Sequence, residues 1–221
     1  MRSCATTLEA EMTEAEHDLL LGLLKAERFD GRHLEVGTAA GGTLCAMMRC
    51  FDDQSRPSFV VVDRMTYFPN QMEIIRRNLR CNGLDPGRVD FRVATSADAL
   101  AEASRRRDAF DFILLDGSHK VLAVTADLRW TRLLNVGGVL CVHDYCRRFP
   151  GVLLSVNRFL NHHPNYARAG QADSLLAIRK LRESRRPEVS LLDRAYSCAW
   201  YLPLQVRRKV LKWQNRRRPA A

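Results

Sequence analysis

The sequence predicts an α/β fold of the Rossmann-like, doubly wound type: a mostly parallel seven-stranded sheet with a C-terminal antiparallel hairpin, followed by a basic helical tail. Three observations carry that expectation. Short apolar runs alternate with helical stretches five times between residues 33 and 162, the rhythm of a parallel sheet covered on both faces. The runs are almost uninterruptedly apolar, as strands buried on both sides are. Polar or acidic residues follow each run at the same end, where an open α/β sheet places its ligands.

Residues 13–28 read as an amphipathic helix. Thr13 and Glu16 have the spacing of a capping box, Leu19, Leu20, Leu23 and Leu24 recur at helical intervals, and Gly31 follows as a stop signal. Strand then alternates with helix: 33–36 into 43–49, 59–63 into 70–81, 89–93 into 96–106, 110–116 into 121–134 and 138–143 into 152–162. Beyond 162 the rhythm breaks. Residues 166–169 and 175–179 flank a stretch containing Gly and Asp and predict the closing hairpin. Arg185 to Pro187 mark a domain edge, so the expected organisation is one domain over 1–180 and a tail over 181–221. The tail is expected to hold two helices, 189–200 and 204–216, broken near Pro203, with a frayed end from Arg216.

The 221-residue chain is 46% apolar and 27% charged, which suffices for a core of useful size. Its net charge of +10 is uneven: residues 181–221 hold eleven bases and three acids, leaving +2 for the first 180. The charge describes a tail and not a basic groove across the domain. Seven scattered cysteines, none in a C-x-x-C pair, suit small apolar residues in a reducing compartment, so a cytoplasmic location is expected. The first sixteen residues lack the apolar centre of a secretory signal. No apolar run reaches the roughly 18 residues that a membrane span needs.

The first strand runs into Glu35-Val36-Gly37-Thr38-Ala39-Ala40-Gly41-Gly42, whose small residues let the backbone pass close beneath a ligand. Asp63 ends the second strand, 26 residues after Gly37, where a carboxylate can accept both hydroxyls of a ribose. The third strand is followed by Thr95, Ser96 and Ala97, the fourth by Asp116-Gly117-Ser118-His119 and the fifth by His143-Asp144-Tyr145. A dinucleotide site would want G-x-G-x-x-G; the run here is G-T-A-A-G-G, with Glu35 two residues ahead of it. A carboxylate there repels a pyrophosphate and attracts the cationic aminoacyl end of S-adenosylmethionine, so the methyl donor is expected over NAD.

The stretches E-V-G-T-A-A-G-G-T, V-V-V-D, F-D-F-I-L-L-D-G-S-H and L-L-N-V-G-G-V-L-C-V-H-D-Y together resemble the class I S-adenosylmethionine-dependent methyltransferases, over about residues 30–180. The branch most resembled holds macrolide-sugar O-methyltransferases and cephalosporin-hydroxylase-like proteins. The resemblance implies that Glu35, Gly37 and Gly41 line the donor, that Asp63 holds its ribose, that Ser96 and Ala97 lie near its adenine and that Asp116 borders the same ligand. Metal-dependent members hold Mg²⁺ with the Asp of D-G-x-H and acids ending the fifth strand, and use the His of D-G-x-H as base. Carried over, Asp116 and Asp144 become metal ligands, and His119 and Asp144 become the residues that turnover needs. His143 departs from the acidic pair such relatives carry, and histidine is a poor Mg²⁺ ligand. The reaction implied is methyl transfer to an oxygen of a sugar, glycan or other hydroxylated small molecule.

Duller roles exist for each residue. Glu35 could pair with Arg32 or Arg64, Asp63 or Ser96 could cap a helix, Asp116 could serve a turn, and His143 could be a hydrogen-bonded core residue. Their shared placement on one sheet edge favours a site. Two rival functions are a nucleic-acid methyltransferase and a non-catalytic binding module of the same fold. Against the first, D-G-S-H stands where base-methylating enzymes of this fold carry N/D-P-P-Y/F. In the tail, Leu191, Leu192, Trp200, Tyr201, Leu204, Val210, Leu211 and Trp213 interleave with arginines. That pattern suits a helix lying peripherally on an anionic membrane surface, or one packed on the domain or a partner; nucleic acid is the less favoured partner for these charges.

Overall fold

The computed structural model describes residues 12–26, 29, 31–184 and 186–216, with side chains as far as Lys209. Seven strands form one sheet: β1 (Arg32–Val36), β2 (Phe59–Asp63), β3 (Val89–Val93), β4 (Phe110–Leu115), β5 (Leu134–Val142), β6 (Tyr166–Ala172) and β7 (Leu175–Lys180). Their order is β3-β2-β1-β4-β5-β7-β6. The first five are parallel, and β7 lies antiparallel between β5 and β6. The winding therefore reverses between β1 and β4, which opens a crevice beyond their carboxyl ends.

Helices α1 (Glu14–Ala26), α2 (Gly42–Met48) and α3 (Gln71–Cys81) cover one face; α4 (Ser96–Arg105), α5 (Val121–Asp127) and α6 (Pro150–His162) cover the other. The period of two sorts the strand residues between two cores. Phe112 and Leu114 of β4 join Leu20, Met48, Ile75 and Leu79, whereas Ile113 and Leu115 join Val36, Trp130, Val156 and Phe159. Each fully buried Leu or Ile contributes about 1.5–3 kcal/mol relative to exposure. These two layers hold the strand ends rigid against one another.

Several elements depart from the sequence expectation. β5 begins at Leu134, not 138; its register against β4 jumps from Phe110↔Leu134 to Phe112↔Val139, and the exposed Asn-Val-Gly stretch between concealed the strand's start. The helix expected to run to 134 stops at Asp127, and Leu128–Leu133 tightens into a 3₁₀ turn. There Trp130 is fully buried and donates its indole N–H to Ser96 Oγ at 2.9 Å. The hairpin strands extend further, leaving a two-residue turn at Asp173-Ser174. In the tail a single helix, α7 (Leu191–Arg216), runs through Pro203. That proline and Ala199, one turn before it, are both exposed, so no packed neighbour forces the helix to end there.

Cys45, Cys50, Cys141, Cys146 and Cys198 are free thiols. No helix among the described residues is long and apolar enough to cross a membrane. The expected first-helix end at 27–28, most of the N-terminal segment, the frayed end beyond 216 and the side chains of Val210, Leu211 and Trp213 lie outside the described residues.

Candidate active site

Glu35 and Val36 close β1, and the chain turns there beneath the sheet edge. Gly37 has φ +88°, and a Cβ on it would stand 2.2 Å from the Asp116 carbonyl oxygen. The cause is the parallel pairing of β1 with β4: Asp116 N donates to Val36 O at 2.9 Å, so the two chains leave the sheet side by side. Asp63, ending β2, accepts from Thr38 N at 3.1 Å and from Met65 N at 2.6 Å. It thereby ties the loop after β1 to the loop after β2, a different role from capping α3. Gly41, at φ +81°, is the N-cap of α2.

Glu35 is 1% exposed. Burial pushes its carboxyl up to about 8; Thr38 offsets part of that, and the charges of Asp116 and Asp63 add to it. Arg32 does not relieve it, being engaged by Asp108 at 2.6 Å and Asp90 at 3.4 Å. The Glu35 Oε2 atom is buried without a hydrogen-bond partner, a condition costing on the order of 1–3 kcal/mol. A cationic or hydrogen-bonding group arriving at this edge would remove that cost.

β4 and β5 deliver Asp116, His143 and Asp144 to the same edge. His143 is buried, with Nδ1 3.1 Å from Asp116 Oδ1 and 3.6 Å from Asp144 Oδ2, and with Nε2 3.4 Å from Glu16 Oε2. Burial alone would lower its pKa. The hydrogen bond to Asp116 and the charges of Asp116, Asp144 and Glu16 outweigh it and raise the value to about 9. Asp144 has φ +60°, a left-handed conformation that Asp tolerates better than most residues. Its Oδ2 lies 2.6 Å from His119 Nε2. The His119 side chain is 43% exposed and packs on Phe149 at a ring-centroid distance of 4.3 Å. Asp116, Gly117, Ser118, His119, Asp127 and His143 line a shallow cleft open to solvent.

Ser96 does not cap α4. Thr95 does, accepting from Asp98 N at 3.2 Å through Oγ1. Ser96 instead bonds Trp130 and Asp127, and burial pushes the Asp127 carboxyl up to about 6 while Ser96 offsets part of that rise. Since Asp127 also lines the cleft of Asp116, Ser96 is joined to the site through it. Ala97 is exposed on the first turn of α4. The structure thus brings Asp116, His119 and Asp144 together directly, and connects Glu35, Gly37, Gly41 and Asp63 to them through the turn after β1.

Three contributors were not anticipated. Gln71 Nε2 donates to Ala39 O and Asn78 Nδ2 to Ala40 O, both at 3.0 Å, so α3 clamps the small-residue loop. Glu16 forms the expected capping box, accepting from Thr13 N at 2.8 Å while Glu16 N donates to Thr13 Oγ1 at 3.3 Å. The same carboxylate also accepts from Ser174 N at 2.8 Å and Ser174 Oγ at 2.6 Å, besides facing His143. The Thr-x-x-Glu spacing announced the cap and nothing in the sequence announced the second duty.

No curated protein matches this sequence. Residues 34–145, half of the chain, match the model of a family described as "Methyltransferase domain". Among solved structures, the O-methyltransferase from Bacillus cereus, in complex with SAH, is similar with a TM-score of 0.62 and 18% identity, over 80% of this chain and 86% of that one. Cofactor-bound Rv0187 from MTB is similar with a TM-score of 0.61 and 18% identity, over 80% of this chain and 84% of that one. The matched family segment runs from β1 to Tyr145 and so spans all five strand ends that build the cleft. This chain belongs to the methyltransferase-domain family and has the class I S-adenosylmethionine-dependent methyltransferase fold.

Proposed function

We propose that this protein transfers a methyl group from S-adenosylmethionine to a hydroxyl oxygen of a small molecule, a sugar being one candidate class. The observation that carries the reading is the His119–Asp144 pair, 2.6 Å apart and opening to solvent beside the loop of Glu35 and Gly37. Residues present fit the donor. Glu35 offers an orphan buried oxygen to a cationic aminoacyl group, Gly37 at φ +88° lets the turn after β1 pack directly against the Asp116 backbone, and Asp63 offers a carboxylate to a ribose. Ser96 and Ala97 border the adenine end in this reading, and Asp116 the sulfonium end. Bound S-adenosylmethionine supplies an electrophilic methyl group, so the protein's tasks are alignment and removal of one proton. In this reading Asp144 Oδ2, 2.6 Å from His119 Nε2, orients the ring, and the His119 imidazole takes the hydroxyl proton.

The donor set does not fit Mg²⁺. Asp116, His143 and Asp144 place their ligand atoms within 4.8 Å of one another, but one of the three is an imidazole, and Mg²⁺ demands oxygen. Asp116 Oδ1 and Asp144 Oδ2 already face the His143 and His119 rings. The His143 ring, set among three carboxylates, supplies the positive charge that balances them. Turnover is therefore expected to be unchanged in EDTA; a rate lost to chelator and restored by Mg²⁺ would return the two aspartates to a metal.

Calorimetric titration with S-adenosylmethionine tests the donor assignment. Below about 8 the free Glu35 carboxyl is protonated, and a bound cation favours its ionised form. Binding near pH 7 should then release about one proton, and affinity should rise with pH until about 8 and level off. Heats in buffers of different ionisation enthalpy measure this release, and Glu35→Gln should abolish it. Binding without proton release would detach Glu35 from the donor; no heat and no thermal shift would sink the methyl-donor reading. Transfer of labelled methyl to a panel of sugars and phenols then identifies the acceptor.

A further inference from the structure

We propose that the outward face of α7 is a docking surface for an anionic phospholipid bilayer. The helix is packed with its polar side inward. Asp193 and Ser197 are 8% and 1% exposed. The Asp193 carboxylate accepts from Ser190 N at 2.9 Å, Ser190 Oγ at 2.6 Å and Arg158 Nε at 2.7 Å. The Arg158 guanidinium also lies over the Tyr196 ring, 4.4 Å from its centroid. These contacts fix which side of the helix meets α5 and α6.

The opposite side is apolar and uncovered among the described residues. Leu191, Leu192, Leu202 and Val206 are 80%, 74%, 69% and 59% exposed, and Ala195 and Ala199 between them are exposed as well. At about 100° per residue these six fall within an arc of roughly 100°. Exposed Arg194 and Arg207 lie about 60° beyond the two edges of this stripe and exposed Lys209 lies within it. From residue 191 onward the chain has eight bases and a single acid, Asp193, already paired with Arg158. An apolar stripe flanked by cations is the pattern of a helix lying in the interfacial plane of a membrane. A second copy of the chain would set these cations against their own kind, and nucleic acid offers the leucines nothing. A negatively charged bilayer satisfies both the leucines and the bases.

The test uses the full chain and vesicles of phosphatidylcholine with or without phosphatidylserine, read by flotation. Binding is expected only with phosphatidylserine and should weaken with salt. Arg207→Glu/Arg208→Glu/Lys209→Glu should weaken it by roughly a hundredfold or more, from about fivefold per base removed. Leu202→Glu/Val206→Glu should weaken it without altering net basicity at 207–209. Melting temperature and the shift caused by S-adenosylmethionine, measured in each variant, show that the fold stands and score the methyl-donor reading separately. Equal binding to neutral vesicles, retention of RNA with no vesicle binding, or a dimer dissolved by Leu202→Glu/Val206→Glu with no vesicle binding would each overturn the proposal.

Discussion

Replacing His119 by alanine is expected to lower turnover by about 10²- to 10⁴-fold, the contribution usual for a positioned general base. The effect should fall on kcat. The His119 side chain is 43% exposed and touches Asp144 and the Phe149 ring, so its loss should leave melting temperature and donor affinity close to the parent's. Asp144→Asn should cost less than His119→Ala but act in the same direction, because it removes the carboxylate charge that stands 2.6 Å from His119 Nε2 and positions the ring. Single-turnover transfer of labelled methyl at saturating donor measures both. Parent-like rates in His119→Ala with intact donor binding would refute the assigned role.

Gly37→Ala is expected to damage the fold and the site at once. The added Cβ would meet the Asp116 carbonyl oxygen at 2.2 Å and the Asp116 carbonyl carbon at 2.7 Å. Both belong to backbone held in a parallel ladder, and neither can swing aside as a side chain would. The φ of +88° adds a conformational penalty. Together these are worth on the order of 3 kcal/mol, or a fall in melting temperature of about 10 °C for a chain of this size. Donor binding should vanish even in the folded fraction. Gly41→Ala is the comparison: its Cβ would meet Ile75 Cγ2 at 3.0 Å, the end of a side chain that can shift, so its melting temperature should fall less. Thermal melts of the two variants with and without S-adenosylmethionine decide it; a Gly37→Ala protein that melts and binds like the parent would contradict the close approach of Gly37 to the Asp116 backbone.

The fold was readable because parallel strands buried on both faces leave contiguous apolar runs such as Phe59–Asp63, and because an open sheet gathers whatever follows those runs onto one edge. Glu35, Asp63, Asp116 and Asp144 could be placed together on that ground alone. The supporting contacts were not readable. Gln71 and Asn78 sit on an amphipathic helix whose polar residues face solvent as a rule, and only the packing of α3 on α2 turns them inward. Glu16 lies 127 residues from His143, and a local capping signal already explained its presence. The tail helix was foreseen as two pieces because Pro203 was weighed as a stop, whereas its outward position leaves it tolerable.

Glu16 and Thr13 are bound to the turn of the β6–β7 hairpin, 158 and 160 residues further along the chain. A ribosome emits the beginning of this fastening early and its end only after the whole parallel sheet has been made. Nascent protein therefore carries the glycine turn and the His119 loop long before the third carboxylate can settle beside His143. Completion of this sheet edge depends on a contact of very long sequence separation, and it should be among the slowest steps of refolding.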